Sequence, residues 1–248
     1  MKRLLTPLMM TWGMFSSIPC PWKLWDDSRR GQMLLWLPVL GLIHGLVWWG
    51  VAALLRLGDF GLLGAAAVCA TPWLLSGGIH LDGYMDCCDA IFSRRELSER
   101  RRILKDSHTG AFAIIGMCVL SVFQFAAASS VGREQNLLPL IAVPAAVRCC
   151  SPLAINYLPP LPASGYSGRG AAAKNSVHGA VVGAQLLAAV IAPALLWGWA
   201  GLAPAAAALS CGAVIFWASR DLQGMSGDIS GCAISVGELV GLAVLALC

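Results

Sequence analysis

Long apolar segments fill most of this chain and alternate with short polar ones. Six of them approach the roughly 20 residues that cross the hydrocarbon core of a bilayer as a helix. A seventh, shorter segment closes the sequence and contains the acidic Glu238. The pattern predicts an all-α fold, a polytopic integral membrane bundle of seven helices or, without the last segment, six. The predicted spans cover about residues 33–55, 61–79, 111–131, 138–158, 178–200, 202–219 and 229–248.

An earlier apolar run, over residues 4–14, is interpreted differently. It follows Lys2 and Arg3 as in a signal peptide, but it lacks a cleavage site of small residues and is interrupted by Pro7. An uncleaved segment that lies along the membrane surface fits this pattern better. Because no convincing internal repeat is visible, residues 1–248 are predicted to form a single membrane domain.

Composition and cysteine usage agree with a membrane protein. The chain is 58% hydrophobic and only 12% charged, whereas soluble domains have about 45–50% apolar and about 25% charged residues. The net charge of +4 is modest, and without basic-aromatic clusters we expect no nucleic-acid partner. The ten cysteines form no C-x-x-C pattern. They are interpreted as small buried residues in a reducing cell.

The basic residues predict how the bundle is oriented. All but three of the 17 Lys and Arg residues fall in one alternate set of loops. The exceptions are Arg56 and Arg133 in the opposite loops and Arg148 inside a span. Because basic loops stay on the cytoplasmic side, the N-terminus and the connection over residues 81–110 are predicted to face the cytoplasm.

Three aspartates in this connection are the main candidates for chemistry. Asp82, Asp86 and Asp89 follow the spacing i, i+4 and i+7, which places them on one face of a helix. Their mutual repulsion, costly beside a membrane, is removed by a divalent cation, and Mg²⁺ or Mn²⁺ prefers such oxygen ligands. The plain alternative is a polar helix start with chance acids. His80 precedes the aspartates and joins them as a candidate catalytic residue.

A second polar cluster lies just before the predicted span that begins near residue 111. Asp106 is either a cap of that helix or a fourth metal-binding carboxylate. Lys105 is a candidate phosphate-binding residue. Upstream, Ser93 and Glu96 have capping-box spacing at the start of a basic amphipathic helix. That helix is interpreted as a solvated loop near anionic lipid or as a basic wall beside a polyphosphate site.

Three more polar positions belong to the second half of the chain. Asp228 lies in a glycine-rich loop, where it is either a helix cap or part of a substrate-binding site. Arg148 and Glu238 lie inside apolar segments, and such residues need partners. For Arg148 the predicted partners are the aspartate cluster or a bound polyphosphate, and both residues are candidate substrate-binding groups. The loop with Arg169 and Lys174 is basic and rich in glycine.

Several motifs together resemble the cobalamin synthase family, the adenosylcobinamide-GDP ribazoletransferases. The matching residues occur in family order across most of the chain. They are Ser17-Ile18-Pro19-Cys20-Pro21, Leu37–Gly45, Gly77-Gly78-Ile79-His80-Leu81-Asp82-Gly83 with Asp86 and Asp89, Lys105-Asp106-Ser107 with Gly110, Gly227-Asp228-Ile229-Ser230-Gly231, and Gly237-Glu238-Leu239.

The resemblance implies a polytopic helical enzyme distantly similar to the CDP-alcohol phosphatidyltransferases. Its implied reaction is the Mg²⁺-dependent joining of adenosylcobinamide-GDP to α-ribazole or its 5′-phosphate, with release of GMP. The implied place is a bacterial or archaeal cytoplasmic membrane, with the active site on the cytoplasmic side. Besides the substrates, the expected partners are membrane lipid, a second copy of the chain or other enzymes of cobalamin synthesis.

Two other functions remain open at this point. One is a secondary transporter that uses the acids as an ion site, although such sites lie near the midplane of the membrane. The other is a CDP-alcohol phosphotransferase that acts on lipid. That family's Asp-Gly-x-x-Ala-Arg pattern is absent, because the chain has Asp82-Gly83-Tyr84-Met85-Asp86-Cys87.

Overall fold

The computed structural model describes residues 2–162 and 175–248, and within them the chain is almost entirely helical. The predicted all-α fold is confirmed. The only extended pairing in this part of the chain is an isolated bridge between Pro160 and Met225. The α-helices are α1 (Lys2–Phe15), α2 (Arg30–Leu55), α3 (Gly61–Leu75), α4 (Ile79–Phe92), α5 (Leu97–Ile103), α6 (Ala111–Ser130), α7 (Val143–Tyr157), α8 (Ser176–Trp197), α9 (Ala203–Asp221) and α10 (Gly227–Leu247).

Six helical segments in the described residues are long and apolar enough to cross a membrane, and a bent pair of helices gives a seventh. The predicted count of six or seven spans is therefore confirmed. The helices expose large apolar side chains outward, for example Leu195, which is 80% exposed, and Leu209, which is 75% exposed. Such a surface is unfavourable in water and suits contact with lipid.

The predicted span over residues 61–79 is broken near its end. Helix α3 ends at Leu75, and α4 leaves it at an angle of 90°. The bend is possible because Gly77 and Gly78 adopt positive φ angles of 62° and 79°, which glycine tolerates without steric cost. The amide of Gly78 donates to Trp73 O at 2.9 Å and closes the end of α3. The aspartates thus lie on a helix of their own.

Helix α10 forms the centre of the bundle. It contacts α4, α6, α7 and α9, and many of its side chains are buried, among them Ile229, Ile234 and Leu242. By contrast, few residues of α8 are buried. Because α10 touches α4 and α7 at once, it connects the polar residues of both halves of the chain.

The basic helix α5 docks on the end of α9. Arg100 pairs with Asp221, and Arg101 donates to Leu222 O at 2.9 Å and to Gln223 O at 3.0 Å. These guanidinium groups satisfy carbonyls that a helix end leaves without partners. The predicted capping box is wrong, because Glu96 makes no side-chain cap. Part of the basic wall therefore serves to hold the fold together.

The loops predicted to share one side of the membrane do meet at one end of the bundle. Besides the contacts of α5, Lys105 Nζ donates to Pro162 O at 3.0 Å, and Met225 N donates to Pro159 O at 2.8 Å. At another place on the bundle, Arg56 binds the 132–135 loop through two backbone carbonyls. The connection over residues 81–110 and the loop before α10 thus lie together, as predicted.

The cysteines also behave as predicted. All ten lie in the described residues and all are free thiols. Most of them are buried, which agrees with their interpretation as packing residues.

Candidate functional site

The site is built where helices α4 and α10 cross at very short distance. A Cβ atom on Gly83 would lie 2.8 Å from Asp228 O, and one on Gly231 would lie 2.8 Å from His80 O. Real Cβ atoms essentially never approach that closely, so only glycine permits this crossing at both positions. The two glycines therefore allow the Asp82-Gly83 motif and the Gly227–Gly231 motif to lie directly against each other.

The crossing gathers three predicted carboxylates. Asp86 lies within electrostatic range of Asp82, Asp89 and Asp228, and Asp228 lies within range of Asp82. Asp82 is exposed, whereas Asp86 and Asp228 are half-buried. Neither Asp82 nor Asp86 has a hydrogen-bond donor among the described residues, and Ser226 Oγ accepts from Ile229 N at the start of α10. Uncompensated negative charge is thus concentrated at the α4–α10 crossing, as the sequence predicted.

The third aspartate of α4 has a structural role that its spacing did not reveal. The carboxylate of Asp89 accepts hydrogen bonds from Gly110 N at 2.6 Å and from Ala113 N at 2.9 Å. It therefore caps the first turn of α6 from another helix, and its charge opposes the helix dipole favourably. Gly110 has no room for a side chain, because a Cβ there would lie 2.6 Å from Asp89 Oδ1.

Asp106 and Lys105 make their contacts with residues outside the carboxylate cluster. Asp106 accepts from the ring of His108 at 2.7 Å and from its backbone amide at 3.1 Å. The ring hydrogen bond holds the pKa of the Asp106 carboxyl below its usual value. Lys105 is exposed and binds Pro162 O. None of these contacts involves the aspartates of α4, so the metal-ligand role of Asp106 and the phosphate-binding role of Lys105 stay predictions.

Arg148 and Glu238 form a closed ion pair inside the bundle. Their side chains are 0% and 2% exposed, and Arg148 Nη1 lies 2.6 Å from Glu238 Oε1. The predicted partner of Arg148, the aspartate cluster or a polyphosphate, is thus replaced by Glu238 in this structure. The pair continues to His44, 3.5 Å from Arg148 Nη2, and from there to Ser16 Oγ at 3.0 Å. The buried ring of His44 thus links the ion pair to the loop that follows α1.

His80 lies at one wall of a cavity beside the carboxylates. It is 6% exposed, and its ring stacks on Phe15 with 6.3 Å between ring centres. The cavity has a volume of about 170 Å³, and its walls include Asp82, Asp228 and Ser151. His80 therefore lines the same cavity as Asp82 and Asp228, which is consistent with its prediction as a site residue.

Metal binding is supported by the donor chemistry and is not preformed. No three His, Cys, Asp or Glu side chains within residues 2–162 and 175–248 are arranged closely enough to hold a metal ion. Asp82, Asp86 and Asp228 nevertheless present the hard oxygen donors that Mg²⁺ prefers. The basic loop with Arg169 and Lys174 falls outside the described residues.

Comparisons with known proteins give the family. A family model described as cobalamin-5-phosphate synthase matches residues 7–246. The chain belongs to the cobalamin-5-phosphate synthase family. The resemblance inferred from the motifs is thereby confirmed, and the chain is an enzyme of cobalamin synthesis. No solved structure matches it.

Curated relatives extend over nearly the whole length of the chain. A protein of Clostridium botulinum is 34% identical over 98% of this chain and 97% of its own length. A protein of Brevibacillus brevis is 31% identical over 93% of this chain and 94% of its own length. A protein of Pseudomonas savastanoi is 34% identical over 89% of this chain and 90% of its own length. All three are named adenosylcobinamide-GDP ribazoletransferase. The aspartate and glycine motifs of α4 and α10 both lie inside residues 7–246, which the family model matches.

Proposed function

We propose that this chain joins adenosylcobinamide-GDP to α-ribazole, or to its 5′-phosphate, and releases GMP in a Mg²⁺-dependent reaction. The observation that carries the proposal is the cluster of Asp82, Asp86 and Asp228 at the α4–α10 crossing, in a chain whose relatives bear this enzyme name. Mn²⁺ has the same ligand preference and is the second candidate ion.

The reaction exchanges one bond to phosphorus for another. The 3′-hydroxyl of ribazole attacks the phosphorus attached to the cobinamide side chain and forms a new O–P bond. The bond from that phosphorus to the bridging oxygen of the diphosphate breaks, and GMP leaves with the bonding electrons. The hydroxyl proton is lost to a base or to water. In such a displacement the protein has to orient both oxygens and counter the charge on the phosphates.

The carboxylates fit the ion that this chemistry requires. Asp82 and Asp86 are candidate direct ligands, because no hydrogen bond occupies their oxygens among the described residues. When bound, Mg²⁺ supplies charge neutralisation at the diphosphate and orientation of its oxygens. Asp228 approaches the same place from α10, where its carboxylate can accept a hydrogen bond from the attacking hydroxyl. Asp89 holds α4 against α6 and so keeps the other two aspartates in position.

The position of the cluster favours an enzyme over a transporter. Asp82 and Asp228 stand at the end of the bundle where the basic loops meet, and transporter sites lie near the midplane. The excess of Lys and Arg in these loops supports a cytoplasmic active site in a bacterial or archaeal inner membrane. The exposed apolar side chains of the helices support contact with membrane lipid. Self-association and contact with other enzymes of the pathway stay predictions.

The decisive experiment measures GMP release by detergent-solubilised protein. We expect release from adenosylcobinamide-GDP only when α-ribazole and Mg²⁺ are both present. Asp86→Asn should abolish turnover while the protein still inserts and purifies. Asp59→Asn is the matched control, because the Asp59 side chain is 93% exposed and lies near Arg133, outside the site.

Three outcomes would reject this assignment. Full activity of Asp86→Asn at low Mg²⁺ would remove the metal from the carboxylate cluster. Turnover that appears only in sealed vesicles would favour transport, because a soluble phosphotransfer needs no closed compartment. Release of a phospholipid product without ribazole would favour the CDP-alcohol phosphotransferase alternative.

A further inference from the structure

The cavity beside the aspartates has a composition unlike the rest of the site. Apolar side chains from five helices form most of its walls, and Asp82 and Asp228 also line it. The apolar residues are Met14, Phe15, Leu34, Leu37, Ile79, Ile155 and Ile234. An apolar chamber that adjoins a carboxylate cluster suits a ligand with one apolar part and one polar part.

Two polar atoms in the walls have no partner among the described residues. The Nε2 atom of His80 and the Oγ atom of Ser151 are buried and make no hydrogen bond within this part of the chain. Their residues are 6% and 1% exposed, and both line the cavity. A buried polar group without a partner destabilises the folded state. Two such groups on one chamber indicate that a ligand with hydrogen-bonding atoms completes it.

The size of the cavity restricts that ligand. Its volume of about 170 Å³ is close to the roughly 150 Å³ of an apolar cavity that accepts one benzene ring. A corrin ring or a guanosine diphosphate is far too large to enter. A flat aromatic base can insert, with its attached sugar left at the side of Asp82 and Asp228.

We propose that this cavity binds the benzimidazole base of α-ribazole and so positions the ribose hydroxyl at the carboxylates. The inference rests on the proposed function and assigns the acceptor substrate to one part of the site. The base lies between the apolar walls, and Ser151 and His80 supply one hydrogen bond to its free ring nitrogen and one to the attached ribose. His80 is then a substrate-positioning residue, and its role is carried out without proton transfer.

The sharpest test compares two buried serines. Ser151 and Ser235 are each 1% exposed and each has an unpartnered hydroxyl, but only Ser151 lines the cavity. We expect Ser151→Ala to raise the KM for α-ribazole by about three- to ten-fold, the range for one hydrogen bond between neutral groups. The KM for adenosylcobinamide-GDP should stay within about two-fold. Ser235→Ala should leave both constants unchanged.

A second variant and a binding measurement make the test independent of turnover. Ser151→Leu fills the chamber and should abolish binding of α-ribazole in equilibrium dialysis against the purified protein. Melting temperatures of all variants identify any loss of folding, and His80→Gln provides a second change in the same wall. His80→Gln should also raise the KM for α-ribazole selectively.

The results separate this inference from the proposed function. Absence of GMP release by the unmodified protein with both substrates and Mg²⁺ contradicts the proposed function. Normal GMP release with equal effects of Ser151→Ala and Ser235→Ala contradicts the base-binding cavity. If Ser151→Ala raises only the KM for adenosylcobinamide-GDP, the base-binding cavity is contradicted as well. The inference is also contradicted if the folded Ser151→Leu variant still binds α-ribazole normally in equilibrium dialysis.

Discussion

A single methyl group at Gly83 should disable the enzyme without unfolding it. In Gly83→Ala the new Cβ would lie 2.8 Å from Asp228 O and 2.9 Å from Asp228 Cα, whereas ordinary contact begins at 3.4 Å. The atoms that must move belong to the backbone, so no side chain can rotate away. Helices α4 and α10 must therefore separate locally by about 0.6 Å, the difference between 2.8 Å and 3.4 Å.

The expected magnitudes follow from that displacement. Overpacking of this kind costs about 1–3 kcal/mol of stability. Catalysis should fall as well, because a shift of about 1 Å in reacting groups can lower a rate about 100-fold. For Gly83→Ala we expect kcat/KM for GMP release to fall by about ten-fold or more, with the protein still folded.

The assay combines GMP release with thermal unfolding in detergent. Gly212→Ala in α9 is the matched control, because its Cβ would have no other atom within 4 Å, and it should change neither quantity. Gly231→Ala approaches His80 O from the other helix and should reproduce the defect of Gly83→Ala. Unchanged kinetics in both crossing variants would refute the view that glycine packing positions Asp228 against α4.

Three further results are expected. Asp89→Asn should lower the free energy of unfolding by about 1–2 kcal/mol, because the charged cap of α6 is lost; loss of activity at unchanged stability would instead indicate a metal ligand. Glu238→Ala should destabilise the protein by about 3–5 kcal/mol, since it leaves Arg148 buried and unpaired. Glu238→Gln keeps an acceptor and should cost less, so equal melting temperatures for the two variants would refute this explanation. In a cysteine-free background, Ser98→Cys should resist an impermeant thiol reagent outside intact cells while Asp59→Cys reacts, and the reverse labelling would overturn the orientation.

The sequence predicted the helices well because membrane spans depend on local hydropathy. It missed the 90° bend between α3 and α4, since Gly77 and Gly78 look like ordinary members of an apolar segment until their φ angles are known. A hydropathy window averages over such a pair, and no periodic signal marks a change of direction. The bend matters for function because it places Asp82 on a separate helix.

The candidate site was predicted as a set of residues but without their division of roles. Helical spacing correctly grouped three aspartates on α4, yet it could not show that Asp89 binds backbone amides of α6, 21 and 24 residues away. Likewise, the partner of Arg148 is 90 residues distant in the chain. Long-range pairs of this kind depend on the tertiary fold, which periodicity does not specify.

The two acids of α10 show why the carboxylates of this chain must have different roles. Asp228 and Glu238 are ten residues apart on one helix, so their backbones are separated by about 15 Å along its axis. A single site of phosphate chemistry cannot contain both carboxylates.

Glu238 lies deep in the bundle, where a buried charge is tolerable only with a partner, and its pairing with Arg148 joins α10 to α7. Gly231 meanwhile lets the near end of α10 touch α4. One helix is thus fixed at two points, and the acid at its first turn is held against the aspartates that complete the site.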